Sequence, residues 1–405
     1  MVVTIVVLLI LAGVSISLIL DNNGIIKKSK DARREYRQAQ ANEQADLDNM
    51  SDLIDEATAE PTPKVNVNTK AEDNSTINGK KGNSNNPTIP EGYIPINTET
   101  SSWGDGTSAP TQDSVDHGLV IKDESDNEWV WIPVPDVTVM CDTANEIEYT
   151  LCGTEEETAV KTKLYSKSEI IDLKTRTTPG DLNGYHEPDL VIGDDGPSYD
   201  TKEEYYKTVL GFDSKEKMAE AFVTDYSEMI ASIKKYGGFY IGRYELSKEG
   251  VQKNQPTLTN TNWYNLYKKC KSLNASEKVE TRMIWGCQWD VTCDFIANKG
   301  EQKSIRYSSS WGNYSDSTTP ANTGNYEKKI KKNTGSNEYW KANNIYDLAG
   351  NCFEWTQEVY STVSRAYRGS NCLSSGSIYP ASDRDGYFGS PDKRRIQRDA
   401  VLVPL

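Results

Sequence analysis

The chain has 405 residues, a length typical of two or three domains, with 60 acidic residues against 45 basic ones. The formal net charge of -15 provides no basic field to displace counterions from a polyanion, which argues against a nucleic acid partner. Only two histidines occur, His117 and His186, and their positions argue against a histidine-based zinc or iron centre.

An uncharged run at residues 2–20, VVTIVVLLILAGVSISLIL, opens the chain. As a helix it would be roughly 28 Å long, which matches the hydrocarbon core of a bilayer. The run therefore predicts a transmembrane helix. A buried soluble helix and a cleaved signal peptide are the alternatives, and no basic region precedes the run as it would in a signal peptide.

The run TIVVLLILAGVSI, the following NGII and a charged, helix-favouring segment from Lys27 onward resemble the N-terminal helix of type IV pilin-like proteins of Gram-positive bacteria. The resemblance covers residues 1–56 and implies a membrane anchor at 2–20 and pilus-like self-assembly. By the positive-inside rule, the basic residues after the span favour a cytoplasmic location for the rest of the chain. Pilin-like topology implies instead that the rest of the chain lies outside the membrane. We expect this extracytoplasmic position, on the bacterial cell surface.

Residues 57–90 are rich in Pro, Asn, Thr, Ser, Lys and Gly and contain few large apolar residues. Such a composition provides little surface for a core, so it predicts a flexible linker. The segment at 91–405 then forms the main domain. It opens with a predicted β-hairpin, in which LVI and WVWIPV flank a DESDN turn, and a polar insertion at about 138–200 follows.

Helical periodicity appears in KEKMAEAFVTDYSEMIASIKKYGG, where the Gly pair at 237–238 ends the helix. GGFYIGRYELS is typical of a strand, and NTNWYNLYKKCKSL and WGCQWDVTCDFIANKG of two shorter helices. Few helices, short strands and long loops predict an α+β domain of irregular structure. The apolar face of the first helix consists of Met218, Phe222, Tyr226, Ile230 and Ile233.

Several stretches occur together and in order: WVWIPV, GGFYIGRYELS, TRMIWGCQWD, SSWGNYSD, NIYDLAGNCFEWTQE and RAYRGSN, followed by SGS and YPASDR. This set resembles the sulfatase-modifying-factor family, the formylglycine-generating-enzyme-type domain with a C-type-lectin-like fold. The resemblance spans roughly residues 91–405. The family's closing strand is altered here to RRIQRDAVLVPL, in which Ile396, Val401, Leu402 and Val403 are the candidates for that strand.

In this family the segment resembling YDLAGNCFEW binds a structural Ca²⁺. Carried over by position, the ligands are Asp347 and Glu354 through side-chain oxygens, and Gly350 and Cys352 through backbone carbonyls. Hard oxygens of these kinds are what Ca²⁺ prefers. A turn with solvated carboxylates is the alternative. Phe353 and Trp355, like the Trp129 and Trp131 pair of the hairpin, are expected in the core.

Catalytic members of the family oxidise cysteine with a pair of thiols that bind copper, and their relatives use three histidines on iron. Cys372 lies near the first thiol position, but the second falls around Gly376 and Ser377. We therefore expect neither copper nor catalysis. No Cys-x-x-Cys pair occurs, and the odd cysteine number is compatible with three disulfides or with none. The seven are Cys141, Cys152, Cys270, Cys287, Cys293, Cys352 and Cys372.

Residues 365–390 are rich in Ser, Gly, Asn, Asp, Tyr and Arg, a composition typical of adaptable binding loops. Proteins of this fold are frequent targets of diversity-generating retroelements, which vary a few surface positions between fixed ones. The resemblance implies a fixed set of Arg368, Gly369, Ser375, Gly376, Ser377, Pro380, Ala381, Ser382 and Arg384. It implies a variable, ligand-binding set of Asn371, Cys372, Leu373, Ile378, Tyr379, Asp383, Asp385, Tyr387 and Phe388.

The leading hypothesis is thus a membrane-anchored surface protein that displays a C-type-lectin-like domain to a protein or glycan ligand. A structural pilin-like subunit with a non-catalytic cap is the second hypothesis, and a formylglycine-generating-type oxidase is the third. Exposure of the predicted variable set would favour the first hypothesis, and burial of that set would favour the second.

Overall fold

The structure is a computed structural model that describes residues 62–137, 204, 206–259, 261–273, 279–319, 329–361, 364–387 and 401–404. The predicted pilin-like helix and the insertion therefore lie outside the described residues. Among the residues that are described, no helix combines the length and apolarity needed to cross a bilayer.

The described strands are short and follow one another along the whole domain. In chain order they are β1 Ile94–Ile96, β2 Val120–Lys122, β3 Glu128–Pro133, β4 Gly238–Gly242, β5 Val279–Arg282, β6 Lys341–Ala342, β7 Ile345–Tyr346, β8 Glu354–Ser361, β9 Ser364–Arg368, β10 Arg384–Tyr387 and β11 Val401–Pro404. The described α-helices are α1 Gln112–Asp116, α2 Lys215–Tyr236, α3 Trp263–Lys271 and α4 Gly286–Asn298.

Antiparallel pairing builds a six-stranded sheet in the order β1-β2-β3-β4-β11-β5. Its β2–β3 unit is the predicted hairpin, with Ile121 opposite Trp129. The last strand, β11, inserts between β4 and β5, so Leu402 pairs with both Tyr240 and Thr281. The predicted closing strand is thereby confirmed for residues 401–403, while Ile396 lies outside the described part of the chain. The result is a mixed α and β architecture with antiparallel sheets.

A second sheet, in the order β10-β9-β8, is built from strands within residues 354–387, and β6 and β7 form a two-stranded ladder. Strands β8 and β9 pair antiparallel with Glu354 opposite Arg368, and β9 pairs with β10 with Arg368 opposite Arg384. The segment between β9 and β10 leaves this sheet and returns to it. That excursion contains most of the predicted ligand-binding positions.

Helix α2 forms where periodicity predicted it. Ser214 caps its start by accepting a hydrogen bond from the backbone of Lys217, and Gly237, with φ of 77°, ends it in the left-handed conformation. The predicted apolar face is buried in full, and its members are Met218, Phe222, Tyr226, Ile230 and Ile233.

Aromatic side chains dominate the core. All nine tryptophans are fully buried, which confirms the prediction for Trp129, Trp131 and Trp355. Phe353 is only half-buried and packs edge-on against Tyr367 at 4.6 Å between ring centroids. The remaining buried tryptophans are Trp103, Trp263, Trp285, Trp289, Trp311 and Trp340.

The flexible-linker prediction is wrong for residues 62–90, because this segment is packed onto the domain. Of its sparse apolar side chains, Val65, Ala71, Ile77 and Ile89 are buried in the core, and Val67 is partly buried against it. The segment also accepts hydrogen bonds from the sheet, including one from Trp131 Nε1 to the carbonyl at position 84. Its asparagines and threonines bond to one another and to backbone groups, so polar composition was a poor guide here.

Candidate ligand-binding loop

The excursion between β9 and β10 includes residues 371–379, which we call the display loop. Of the large hydrophobic side chains in the described residues, four are exposed, and three of these lie on the display loop. They are Leu373 at 51%, Ile378 at 62% and Tyr379 at 47%, and the fourth is Tyr339 at 53%. Single exposed hydrophobics are ordinary, but three within seven residues form a patch of the kind that marks binding sites.

One carboxylate fixes the middle of the display loop. Asp316 accepts hydrogen bonds from Ser375 Oγ at 2.5 Å, from Gly376 N at 2.8 Å and from Ser377 Oγ at 2.9 Å. Partial burial acts to raise the pKa of Asp316, but these hydrogen bonds outweigh it and hold the pKa at about 2. Asp316 is thus ionised across the physiological range and holds the loop in one conformation.

The same part of the loop packs closely against the segment at 308–314. A Cβ on Gly376 would lie 2.5 Å from Tyr314 Cδ2 and 2.8 Å from Ser309 N, so only glycine fits. The carbonyl of Gly376 accepts a hydrogen bond from Ser308 N at 3.0 Å. Tyr314 in turn donates from its hydroxyl to the carbonyl of Gly369 at 3.0 Å. The loop therefore rests on a rigid, buried platform.

The predicted fixed residues and the predicted variable residues behave differently within this loop. Ser375, Gly376 and Ser377 are the three that bond to Asp316. The exposed apolar residues flank them on both sides, at 373 and at 378–379. Alternation of anchored and exposed positions is what a surface loop with a fixed framework requires.

Three members of the predicted ligand-binding set are buried, and the prediction is corrected for them. Asn371 is 4% exposed, and its Oδ1 accepts hydrogen bonds from the backbone N–H groups of residues 373 and 374. Cys372 and Asp383 are 6% and 4% exposed. Asn371 forms an Asx turn that shapes the loop, so its polarity serves the backbone rather than a ligand.

The other members of that set lie along β10 and just after it. Asp385 is exposed, and its Oδ2 accepts a hydrogen bond from Tyr367 at 2.8 Å. The backbone of Tyr387 pairs with Arg365 in β9, while its side chain lies outside the described atoms. Phe388 lies outside the described residues. Asp385 is thus a further candidate for ligand contact.

A buried charge network fixes the strands on either side of the display loop. Arg368 Nη2 contacts Asp290 Oδ1 of α4 at 2.5 Å, and Arg384 Nε contacts Glu358 Oε1 of β8 at 2.5 Å. Burial raises the pKa of Asp290 to about 6 although the Arg368 charge lowers it. The two arginines, both predicted as fixed residues, are therefore structural. Removal of Arg368 would leave buried Asp290 without its ion pair, and removal of Arg384 would leave Glu358 with the longer contact of 3.6 Å to Arg368 Nη1.

The four predicted calcium ligands lie in or beside residues 343–351, a segment of turns around the short strand β7, which we call the buried turn. Asp347 Oδ2 accepts a hydrogen bond from Gly335 N at 2.7 Å. Glu354 instead lies on β8, close enough to Cys293 to contribute, after burial, to the raised pKa of that thiol. The two carboxylates therefore contact different parts of the fold.

Gly350 and Cys352 are buried as well, and Gly350 N donates to the carbonyl of Gly369. In the part of the chain that the structure describes, no group of three or more His, Cys, Asp or Glu side chains is arranged to hold a metal ion. The calcium site stays a prediction that depends on backbone carbonyls. Its test is whether calcium raises the midpoint of thermal unfolding above the value measured in a chelator.

Asp316 is the residue that sequence reasoning missed. It is the last residue of the stretch SSWGNYSD, one of the stretches in which the sequence resembles the sulfatase-modifying-factor family. The segment Ser375-Gly376-Ser377 offers two hydroxyl groups and an unhindered backbone N–H, which require an acceptor once they fold against a platform. The need for an acceptor indicated that a carboxylate would anchor this segment. Which carboxylate does so was decided by tertiary structure, because Asp316 lies 59 residues before Ser375 in the chain.

Comparisons with known proteins place few constraints on this chain. No protein-family model matches it, and no curated protein matches it. Among solved structures it is similar to Treponema denticola variable protein 1, with 14% sequence identity and a TM-score of 0.28. The match covers 42% of this chain and 85% of that protein.

Proposed function

We propose that the display loop is the ligand-binding surface of a non-catalytic domain with a C-type-lectin-like fold. The observation that carries the proposal is the cluster of Leu373, Ile378 and Tyr379, exposed on a loop that the domain holds in place. Exposure of apolar surface to water is unfavourable, and a ligand that covers the patch would recover that free energy. The N-terminal run at 2–20 anchors the domain at the bacterial surface.

Rigidity of the loop supports a binding role. Asp316 bonds to three consecutive residues, and Asn371 bonds to the two backbone N–H groups that follow Cys372. A loop that is already ordered loses little conformational entropy when it binds, so more of the contact free energy appears as affinity. Tyr379 adds an amphipathic ring of the kind that dominates binding hot spots.

The chemistry of Cys372 supports a non-catalytic role. Burial is the main cause that raises the pKa of this thiol to about 11, and the charge of Glu245 raises it further. At neutral pH the side chain is a thiol rather than the nucleophilic thiolate. The environment of Cys372 therefore opposes the activation that cysteine chemistry needs.

We further propose that the loop is diversified by a retroelement. Exposed positions 373, 378, 379 and 385 tolerate substitution, because surface changes away from buried contacts alter stability by only about 0.5 kcal/mol. Deep sequencing of this gene in a growing population is expected to show substitutions at those four codons and conserved codons at 371, 372 and 383. Codon 339, for an exposed tyrosine elsewhere, is the internal control. A uniform sequence would contradict diversification while leaving the binding proposal intact.

The binding proposal is tested by screening the full chain against a random-peptide library and a glycan array. Ligands from either source are expected to bind the Leu373→Ser/Ile378→Ser/Tyr379→Ser variant at least tenfold more weakly. Tyr339→Ser is the matched control and is expected to retain full affinity, since it removes an equally exposed aromatic residue from another place. Ligands whose affinity is the same for all three proteins, or the absence of any ligand, would favour the structural-subunit hypothesis instead.

A further inference from the structure

One hydrogen bond joins the display loop to the buried turn, and a second joins the turn to Gly369, two residues before the loop. Cys372 N donates to the carbonyl of Asn351 at 3.1 Å, and Gly350 N donates to the carbonyl of Gly369 at 2.9 Å. The first bond ends at the residue immediately before Cys352, so Cys352 and Cys372 lie on adjacent stretches of backbone. This bond and the covalent geometry of the peptide on either side of it keep the two Cα atoms within about 7 Å of each other, close to the range of separations that a disulfide requires.

Both thiols are also buried. Cys352 is 1% exposed and Cys372 is 6% exposed. Both are free thiols in this structure, so a bond between them would form without exposing either side chain to solvent.

The other described cysteines are held in helices that fix their directions. Cys270 lies on α3, while Cys287 and Cys293 both lie on α4. A separation of six residues places two helical side chains about 120° apart around the axis, so Cys287 and Cys293 do not face each other. Among the described cysteines, Cys352 and Cys372 are the pair whose backbone stretches are joined by a hydrogen bond, between residues 351 and 372.

We propose that Cys352 and Cys372 form a disulfide that ties the display loop to the buried turn. The oxidant is a small-molecule disulfide such as oxidised glutathione. The Cys372 thiolate attacks it and releases one thiol, which gives a mixed disulfide. The Cys352 thiolate then attacks the Cys372 sulfur and releases the second thiol. The protein loses two protons and two electrons, and the oxidant is reduced to two thiols.

The burial of both thiols decides when this reaction takes place. In the folded chain little thiolate exists at neutral pH, because the pKa of Cys372 is about 11. During folding both thiols are accessible and have ordinary reactivity. The bond therefore forms as the chain folds in an oxidising compartment, and it is then shielded from reductants.

Mass spectrometry tests the proposal directly. The full chain is refolded from denaturant in detergent with reduced and oxidised glutathione, alkylated and digested with trypsin. Cleavage after Lys341, Arg365, Arg368 and Arg384 places the two cysteines in separate peptides, 342–365 and 369–384. We expect these two peptides to be linked. The mass of the linked species should equal the sum of the two peptide masses minus two hydrogens, and dithiothreitol should separate the peptides. The oxidised protein is expected to unfold about 5 °C above the reduced one.

Two variants serve as controls. Cys270→Ser should leave the 342–365 and 369–384 link intact, whereas Cys372→Ser should leave Cys352 fully alkylated. If wild-type chain refolded in this buffer carries alkyl groups on both Cys352 and Cys372, the proposal is overturned. A link from either cysteine to another partner overturns it equally. Since the principal measurement uses wild-type protein, the test remains decisive even if a serine variant folds poorly.

Discussion

The buried turn and the display loop both consist mainly of turns, and a hydrogen bond joins them, yet one buries its side chains and the other exposes apolar ones. In the buried turn every residue is buried, and Asn343, Asn344, Asp347 and Asn351 all adopt positive φ angles. In the display loop the framework is equally well bonded, but apolar side chains point to solvent.

Asparagine explains how the buried turn tolerates its backbone. This residue adopts the left-handed region more readily than most, and its amide can satisfy buried backbone groups. Asn344 Nδ2, for example, donates to the carbonyl of Gly118 at 2.9 Å and to Ser101 Oγ at 3.1 Å. The comparison shows two ways to stabilise a segment of turns. Side-chain amides satisfy the backbone of the buried turn, whereas Asp316 and Asn371 fix the backbone of the display loop and leave its apolar side chains exposed.

The largest effect is expected from Asn351→Ala in the buried turn. Asn351 Oδ1 accepts from Asn313 Nδ2 and Lys332 N, and Nδ2 donates to Glu245 Oε2. Alanine would lose these bonds and also occupy a left-handed conformation, so the free energy of unfolding should fall by about 3 kcal/mol or more. Urea unfolding of the full chain measures this free energy. The control is Asn85→Ala, at an exposed asparagine, which should change the free energy of unfolding by less than about 0.5 kcal/mol.

A smaller effect is expected from Asn371→Ala in the display loop. The substitution removes the acceptor of the Asx turn and should lower the free energy of unfolding by about 1–2 kcal/mol. It should also weaken ligand binding, because Leu373 would no longer be held in position. Asn371→Asp keeps a side-chain oxygen acceptor and should restore both quantities. Equal binding by the alanine variant and wild type would show that loop order contributes nothing to affinity.

The pH dependence of Asp316 provides the next test. Its pKa of about 2 is below the ordinary value of 3.8, so the carboxylate stabilises the fold above about pH 4 and this contribution is lost as pH falls towards 2. Asp316→Asn should cost about 1 kcal/mol at pH 7, a modest figure because the carboxylate is only partly buried and solvent screens it. The difference between wild type and variant should vanish near pH 2.

Urea unfolding of both proteins at pH 2, 3, 4 and 7 measures this dependence. Ser377→Ala removes one of the donors to Asp316 and should reproduce part of the change. A difference between wild type and Asp316→Asn that stays constant over the whole pH range would contradict the anchoring role of the carboxylate.

The smallest stability effect is expected from the exposed patch itself. Serine at positions 373, 378 and 379 should alter the free energy of unfolding by less than about 0.5 kcal/mol per site, because these side chains bury little surface. The same triple variant should lose ligand binding. Thermal unfolding and binding measured on one preparation would separate the two properties. A large loss of stability would indicate that the patch packs within the domain.

Much of the regular structure was predictable because it depends on local patterns. The apolar face from Met218 to Ile233 has helical spacing, and the left-handed Gly237 follows it, so α2 could be placed without a fold. The β2–β3 hairpin and the closing strand at 401–403 were predictable for the same reason. The packed segment at 62–90 was not, because five scattered apolar side chains give no periodic signal, although tertiary contacts bury four of them and partly bury the fifth.

The sequence by itself determined that Trp129, Trp131 and Trp355 lie in the core, that the β2–β3 hairpin, α2, β4, α3 and α4 follow in this order, and in which region a surface loop would lie. The family resemblance separated Ser375, Gly376 and Ser377 from their neighbours. Only the tertiary structure decided that Asp316 anchors those three residues, that Asn371, Cys372 and Asp383 are buried, and that Cys352 adjoins Cys372. The physical reason is that burial and pairing depend on contacts between residues far apart in the chain, and local composition carries no record of which distant groups meet.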